Sequence, residues 1–195
     1  MKRNDNYLAE NEIEMGWDFE QVWVAESDTT LSQEKANSIF ENHSVYVTVE
    51  GDLTVEGDLA VEEASYLECG DVRCTTFWVG EGVVEVATLR AEHYVELACW
   101  PSDMHGSSID KIVTPLLVTP SEDLDFLCDD IEAEFIMSPV EERGKLFPWI
   151  LLDNPAEIIA ALRQRESIDE AWLIEHKHLV THETRKKWVE EEYGS

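Results

Sequence analysis

The feature that most constrains this fold is a short sequence motif that repeats several times. Residues 47–61 run Val-Thr-Val-Glu-Gly-Asp-Leu-Thr-Val-Glu-Gly-Asp-Leu-Ala-Val, and a looser copy follows at 69–74. Apolar residues fall in pairs two positions apart, which places both on the same side of a strand. The pairs are Val47/Val49, Leu53/Val55, Leu59/Val61, Val72/Cys74, Phe77/Val79, Val84/Val86, Leu89/Ala91 and Val95/Leu97.

A corner between successive pairs explains the spacing best. A flat sheet with two-residue hairpins would also place apolar pairs this way, but Gly-Asp before each early pair favours a corner taken repeatedly. Short strands with regular corners are typical of a chain wound round one apolar axis. We therefore predict a mainly β protein, with a short right-handed β-helix or β-roll over residues 44–120, in about four coils of about eighteen residues.

The predicted coils have an inside and an outside. Three corners per coil would form a triangular prism filled by Leu, Val and Cys side chains. The first three apolar pairs are expected to point inward. Glu50, Glu56 and Glu62 each follow one of these pairs directly and are expected to face solvent.

Residues 1–43 are predicted to form an N-terminal cap of one strand and one helix. A strand is expected near 21–25, where Val22 and Val24 are expected to be buried. The run 32–42 has the apolar spacing of a helix, and Ser32 or Thr30 supplies an N-cap side chain.

Residues 121–195 are predicted to form a C-terminal helical region that joins the rest in one compact unit. Its first part, up to Asp130, has the acidic composition of a linker. Asn154 followed by Pro155 and Glu157 is a strong helix start. A last helix is expected from His182 to Tyr193, where Trp188 and Val189 provide the packing.

The net charge is extreme and unevenly distributed. The chain of 195 residues has a formal net charge of −29, yet only four basic residues lie between Asn4 and Glu142: Lys35, Arg73, Arg90 and Lys111. Such a field repels nucleic acid and anionic membranes and attracts cationic partners. The alternative is an acidic surface that serves only solubility or salt tolerance.

The sequence predicts a cytoplasmic protein without a membrane segment. No run approaches the roughly 18 apolar residues that a membrane helix needs. The basic residues Lys2 and Arg3 have no apolar stretch behind them, so we expect no secretory signal. The four cysteines lie in strand-like runs, which favours reduced, buried thiols over a disulfide framework.

The doubled Gly-Asp-Leu phrases at 51–53 and 57–59 resemble those of bacterial polymer-forming, bactofilin-like short β-helix proteins. The resemblance covers 44–119 and extends to small acidic members of the type associated with toxin–immunity systems. It implies a β-helix, and for the polymer formers a self-assembling scaffold. This chain departs from the polymer formers because it has predicted helices on both sides of the coils and a charge that resists self-stacking.

No residue pattern predicts a metal site. His176, His178 and His182 are the nearest to a ligand cluster, but a solvated connector between helices explains them better. The spacing of the cysteines with His93 matches no zinc motif, so we interpret them as core thiols. The cysteines are Cys69, Cys74, Cys99 and Cys128.

The aspartates that follow glycine have two interpretations. A stacked ladder of Asp52, Asp58 and Asp71 could bind calcium, as in β-rolls with longer glycine-rich repeats. Because those repeats are missing here, we expect these side chains to accept backbone N–H bonds at the corners.

The sequence does not predict an enzyme. The acidic pairs Asp129/Asp130 and Glu141/Glu142 have no nucleophile, oxyanion donor or phosphate loop near them in sequence. No catalytic triad order and no nucleotide-binding fingerprint is present. We therefore predict no catalytic residues, no cofactor and no metal.

The predicted function is binding. We expect a non-enzymatic acidic protein, an immunity protein that neutralises a cationic toxin or effector domain, present as a monomer or small homo-oligomer. The alternative is a self-assembling, bactofilin-like scaffold. Carboxylates would steer the partner, and tryptophans would anchor it. The predicted partner-binding residues are Glu50, Glu56, Glu62, Asp52, Asp58, Trp78, Trp100 and Trp149.

Overall fold

A computed structural model describes residues 1–10, 18–40, 44–62, 64–80, 82–97, 106–119 and 128–137, together with positions 156, 159, 160, 163 and 164. Strands dominate these residues. The elements are β1 (Lys2–Arg3), α1 (Tyr7–Glu10), β2 (Gln21–Ala25), β3 (Thr29–Ser32), α2 (Gln33–Phe40), β4 (Val45–Val49), β5 (Leu53–Glu56), β6 (Leu59–Val61), β7 (Tyr66–Val79), β8 (Val83–Leu97), β9 (Ser108–Val118) and β10 (Cys128–Met137).

The strands form a β-solenoid of about four turns, which confirms the predicted fold class. Strands β4, β5 and β6 follow three sides of one coil, and each pairs in parallel with a different part of β7. We call these sides face 1, face 2 and face 3. Strands β7 to β9 are longer because each continues round the corners and contributes to all three faces.

Within each face, every paired position lies over a residue of the coil before it, and the register shifts only after Cys74 and after Arg90 among the described strands. Parallel pairing fixes this register, since neighbouring strands lie about 4.8 Å apart with like positions aligned. The register repeats on each side of the solenoid: Tyr46, Tyr66 and Val83 on face 1, Leu53, Val72 and Leu89 on face 2, and Leu59, Phe77 and Val95 on face 3.

The predicted apolar pairs form the core. All sixteen of those residues point inward, and none has more than 5% of its surface exposed. Leu67 and Ile112 extend the same inward columns and are fully buried. Burial of one such side chain stabilises the fold by about 1.5–3 kcal/mol, so these columns supply most of the energy that holds the coils together.

Helix α2 replaces the face 3 strand in the first coil. It follows β3 directly and packs Ile39 and Phe40 into the core. The Ser32 hydroxyl accepts the Lys35 backbone N–H at 3.3 Å, so the predicted N-cap is confirmed for Ser32. With this coil and with β10, the solenoid extends from 21 to 137, beyond the predicted range at both ends.

Residues 2–5 cover the β2 part of the free edge of the first coil, while β3 has no partner strand on its outer side among the described residues. Strand β1 pairs antiparallel with β2, and the Asn4 N–H donates to the Val22 carbonyl at 2.8 Å. The Val22 N–H donates to Asp5 Oδ1 at 3.2 Å, and the Arg3 guanidinium donates to the Glu20 carbonyl at 3.1 Å. An open edge would invite another chain to pair with it, and these bonds prevent that.

The Gly-Asp phrase is explained by the corner between faces 1 and 2. Asp28 Oδ1 accepts the Asp52 N–H at 3.0 Å, and Asp52 Oδ1 accepts the Asp71 N–H at 3.0 Å one coil later. A Cβ on Gly51 would lie 2.2 Å from Asp28 Oδ1, so only glycine allows this approach. The predicted corner role of Asp52 is confirmed.

The corner between faces 2 and 3 uses the same device. Gln33 Oε1 accepts the Asp58 N–H at 2.5 Å, and a Cβ on Gly57 would lie 1.9 Å from that oxygen. Gly57 also has a φ of +148°, which residues with side chains rarely adopt. Asp58 in turn accepts the Thr76 hydroxyl at 2.6 Å, so it caps through a side chain rather than a backbone N–H.

The C-terminal part is described at few positions. Residues 156, 159, 160 and 163 are helical, in agreement with the helix predicted to start near Asn154. Ile159 is buried, and the Arg163 guanidinium contacts the Glu134 carboxylate of β10 at 2.6 Å. Asp130, predicted to lie in a linker, belongs to β10 instead. The helix predicted over 182–193 lies outside the described residues.

We predict that Asp52→Ala lowers the free energy of unfolding by about 1 kcal/mol, because the Asp71 N–H loses its acceptor at a half-buried corner. Asp52→Asn keeps a side-chain oxygen and should restore most of this loss. Asp110→Ala, at an exposed position of the same corner, is the matched control. Urea denaturation of the three variants measures the difference. Equal stability of Asp52→Ala and Asp110→Ala would contradict the structural role of the corner bond.

Candidate protein-binding surface

The outer side of face 1 is covered. Its column Val22, Tyr46, Tyr66 and Val83 points away from the core but is buried, and Tyr7, Leu8 and Phe19 of the N-terminal segment pack against it. Phe19 meets Tyr46 edge-on with ring centroids 5.4 Å apart. These contacts therefore fix Tyr7, Leu8 and Phe19 on the solenoid, and this column is not available to a partner.

Two tyrosine–glutamate pairs connect successive coils on this face. The Tyr46 hydroxyl donates to Glu68 Oε2 at 2.7 Å, and the Tyr66 hydroxyl donates to Glu85. The two rings stack with centroids 5.0 Å apart. Burial first, and the carboxylate partner second, raise the pKa of both phenols above the ordinary value.

The outer side of face 3 is also largely buried in its later coils. Tyr94, Leu116 and Val118 alternate with inward residues and therefore point outward, yet 7% or less of each is exposed. Trp78 is half-buried on the same side, and its ring lies over Gly80, where a Cβ would come within 2.6 Å of Trp78 Cη2. The Trp78 ring therefore packs against the chain at the end of β7. The other two predicted anchors, Trp100 and Trp149, lie outside the described residues.

Face 2 keeps an open outer side. Its central column has no buried member: Thr30, Arg73, Arg90 and Glu132 are exposed, and Thr54 and Val113 are half-buried. These six residues follow one another in register over six successive strands. Face 2 is therefore the flat surface, within the part of the chain that the structure describes, on which a partner could lie directly against the strands.

Carboxylates line both edges of face 2. The corner toward face 1 carries Glu26, Asp28, Glu50, Asp52 and Asp110, of which only Asp52 is half-buried and the others are exposed. The corner toward face 3 carries exposed Glu56, Asp58, Glu92 and Glu134. Face 2 thus has two acidic edges.

Glu50, Glu56 and Glu62, three of the predicted partner-binding residues, do not lie on one surface. They occupy three successive corners of one coil and so point in three directions, and Glu62 is half-buried. The residue stacked next to Glu50 is Glu26, because Val49 pairs with Ala25. Residues six positions apart lie at successive corners of the same coil. Residues that stack on each other are separated by the length of a whole coil. Glu50 and Glu56 remain on the edges of face 2.

Four acidic residues on the edges of face 2 were missed in the sequence analysis, and they lie in coils other than the one that carries the predicted carboxylates. Glu26, Asp28, Glu92 and Asp110 share the edges of face 2 with Glu50 and Asp58 but lie outside the Glu-Gly-Asp phrases. Alignment of the sequence by the inward apolar pairs, rather than by Gly-Asp, would have placed them on these edges. Asp52 and Asp58 each use one side-chain oxygen for a corner bond, and Asp58 is exposed whereas Asp52 is half-buried.

The three described cysteines are free thiols, as predicted; Cys99 lies outside the described residues. Burial, followed by the charges of Asp52 and Asp71, raises the pKa of Cys69 to about 12. Burial also raises the pKa of Cys74. The thiols therefore stay protonated and unreactive near neutral pH.

The described residues contain no cluster of three or more histidine, cysteine or acidic side chains arranged to hold a metal. His176, His178 and His182 lie outside them. No described helix is both long enough and apolar enough to cross a bilayer. Comparison with protein families, with curated proteins and with solved structures finds no match for this chain. Its function must therefore be argued from its own surface.

We predict that Tyr46 and Tyr66 ionise well above the ordinary tyrosine pKa of about 10. A pKa raised in the folded state gives stability that is complete below about pH 10 and is lost as the pH rises toward the folded value. Absorbance at 295 nm should show delayed ionisation in the native protein but not in urea. The Tyr46→Phe/Tyr66→Phe variant should lack the delayed groups. Ordinary titration of all tyrosines in the native protein would contradict the tyrosine–glutamate pairs.

Proposed function

We propose that this chain is a non-enzymatic acidic binding protein, an immunity protein that neutralises a cationic toxin or effector domain. The observation that carries the proposal is the contrast between the faces. Face 2 is open and edged by carboxylates on both sides, whereas Tyr7, Leu8 and Phe19 cover the outer column of face 1 and the later coils of face 3 have buried outer positions. A basic partner surface meets complementary charge on face 2 without any rearrangement of the coils.

The electrostatic field supports rapid capture of such a partner. With a net charge of −29, the chain attracts cations over about one Debye length, which is roughly 30 Å at 0.01 M salt. Exposed carboxylates such as Glu50, Glu56 and Glu92 then meet the partner at the edges of face 2. Their individual contributions to affinity are small, and their sum governs the association rate.

The compartment and the absence of catalysis are part of the same proposal. The free thiols of Cys69, Cys74 and Cys128 fit a reducing compartment, such as the bacterial cytoplasm. The carboxylates of face 2 stand on flat strands and at convex corners, where a substrate would stay in water. Such a surface suits protein binding better than acid–base chemistry, which needs a concave, partly dry site.

The covered edge of β2 weighs against a function as a bactofilin-like scaffold. Head-to-tail stacking needs free strand edges at both ends of the solenoid, and residues 2–5 occupy the edge of β2, which leaves β3 as the one strand of the first coil with an unpaired outer edge among the described residues. Sedimentation velocity over a wide concentration range separates the two functions. A fixed monomer or small oligomer is expected, and growth with concentration would favour the scaffold.

The immunity role is tested directly in bacteria. The chain is expressed together with the toxic product of a gene adjacent to its own, and growth is compared with expression of the toxin alone. Rescue that requires a stable complex between the two proteins is the expected result. Failure to rescue any adjacent toxic product would reject this role.

We predict that charge reversal at the edges of face 2 weakens binding of a nine-residue lysine peptide by about tenfold in low salt. The variant is Glu50→Lys/Glu56→Lys/Glu92→Lys, at three exposed positions. The control Asp18→Lys/Glu20→Lys/Glu34→Lys makes the same change of net charge at exposed positions elsewhere and should weaken binding about twofold.

Fluorescence anisotropy with labelled peptide measures both variants between about 10 mM and 0.5 M salt, over which the Debye length falls from about 30 Å to under 5 Å. The difference between the variants should disappear at high salt. An equal loss in both at low salt would mean that only net charge matters and that face 2 is not the binding surface.

A further inference from the structure

Two arginines stand side by side at the centre of face 2. Arg73 on β7 pairs in register with Arg90 on β8, and both side chains are exposed on the outer side. Thr54 precedes them in the same column, and Val113 follows. No carboxylate is therefore stacked directly next to either guanidinium.

Every other described lysine or arginine has a partner. Within the described ranges, Arg73 and Arg90 are the two whose side chains have no ion pair, hydrogen bond or cation–π contact, in a chain where 43 acidic residues face 14 basic ones. The remaining five are satisfied: Lys2 by Glu26, Arg3 by Asp5, Lys35 by the Trp23 ring, Lys111 by Asp130 and Glu132, and Arg163 by Glu134.

An unpaired arginine pair has a cost for the fold. Like charges directly opposite each other on neighbouring strands are destabilising. A stacked carboxylate at Thr54 or Val113 would relieve the repulsion, and the chain has acidic residues at most other exposed positions of these coils. The two exposed guanidinium groups are therefore available to bind an anionic group of another molecule.

We propose that Arg73 and Arg90 together bind a carboxylate on the surface of the basic partner. The inference rests on the proposed function and adds the group that the partner must present. Neighbouring strands lie about 4.8 Å apart, so one guanidinium can reach each oxygen of a single carboxylate. Arginine suits this role because its planar fork matches the carboxylate geometry.

The surroundings of the pair define the partner more narrowly. A free anion is repelled by the net charge of −29 and by the acidic edges formed by Glu50, Glu56 and Glu92. A carboxylate set among lysines or arginines avoids this repulsion, because its neighbours meet those edges. The partner surface therefore carries an acidic residue at the centre of a basic patch.

Two peptide probes test the inference. Both are nine residues long and consist of lysine, with either glutamate or glutamine at the centre. Because the glutamate peptide has the lower net charge, simple attraction to an acidic surface predicts that it binds more weakly. We expect instead that the protein binds it about threefold more tightly than the glutamine peptide in low salt.

The Arg73→Gln/Arg90→Gln variant should reverse this preference. The control Arg3→Gln/Lys35→Gln removes the same charge at residues whose partners, Asp5 and the Trp23 ring, lie outside face 2, and it should keep the preference. Circular dichroism and urea denaturation verify that both variants stay folded.

The outcomes separate the two proposals. Tighter binding of the glutamate peptide that requires both arginines supports the inference. Tighter binding of the glutamine peptide by the unaltered protein overturns the arginine pair as a carboxylate site and leaves the acidic surface intact. Failure of both peptides to bind overturns the proposed cationic docking itself, and the arginine inference with it. Retention of the glutamate preference in Arg73→Gln/Arg90→Gln overturns the assignment to these residues.

Discussion

Each coil of this chain lies directly over the one before it, and the parallel hydrogen bonds between coils decide which side chains meet. A residue's important neighbour is therefore one coil away. This register aligns Leu59, Phe77 and Val95 into one buried column, and it brings Asp28 under Asp52 at the corner. Core packing, corner bonds and surface charge all follow from the same alignment.

The sequence predicts the inside of the solenoid well. Pairs such as Val47/Val49 repeat at strand spacing and have one physical solution, burial in a common core, so the periodicity determines their place. The corner role of Asp52 can also be predicted from the sequence, because an aspartate that follows glycine commonly accepts a backbone N–H bond at a turn. The first coil was missed because helix α2 interrupts the period, and β10 because its sequence is acidic.

The binding surface was harder to predict because it depends on stacking between distant residues. Glu50 and Glu56 lie six residues apart in sequence and on opposite edges of one face, while Glu50 and Glu26 are neighbours. Arg73 and Arg90 are unremarkable in the sequence and become a pair only through the register of β7 and β8. The same register separates the chain's few central cations from its many acids, so one acidic protein carries a patterned face rather than a uniform one.

The closed edge at β2 also gives the molecule a direction of assembly. Residues 2–5 cover the β2 edge of the first coil, so on face 1 new strands can add only on the other side. Each later coil finds its template in the coil synthesised just before it, and its contacts span roughly twenty residues of chain. Such short-range contacts reduce the entropy lost in loop closure. The solenoid can therefore form progressively as the chain leaves the ribosome, with the N-terminal coil as its starting surface.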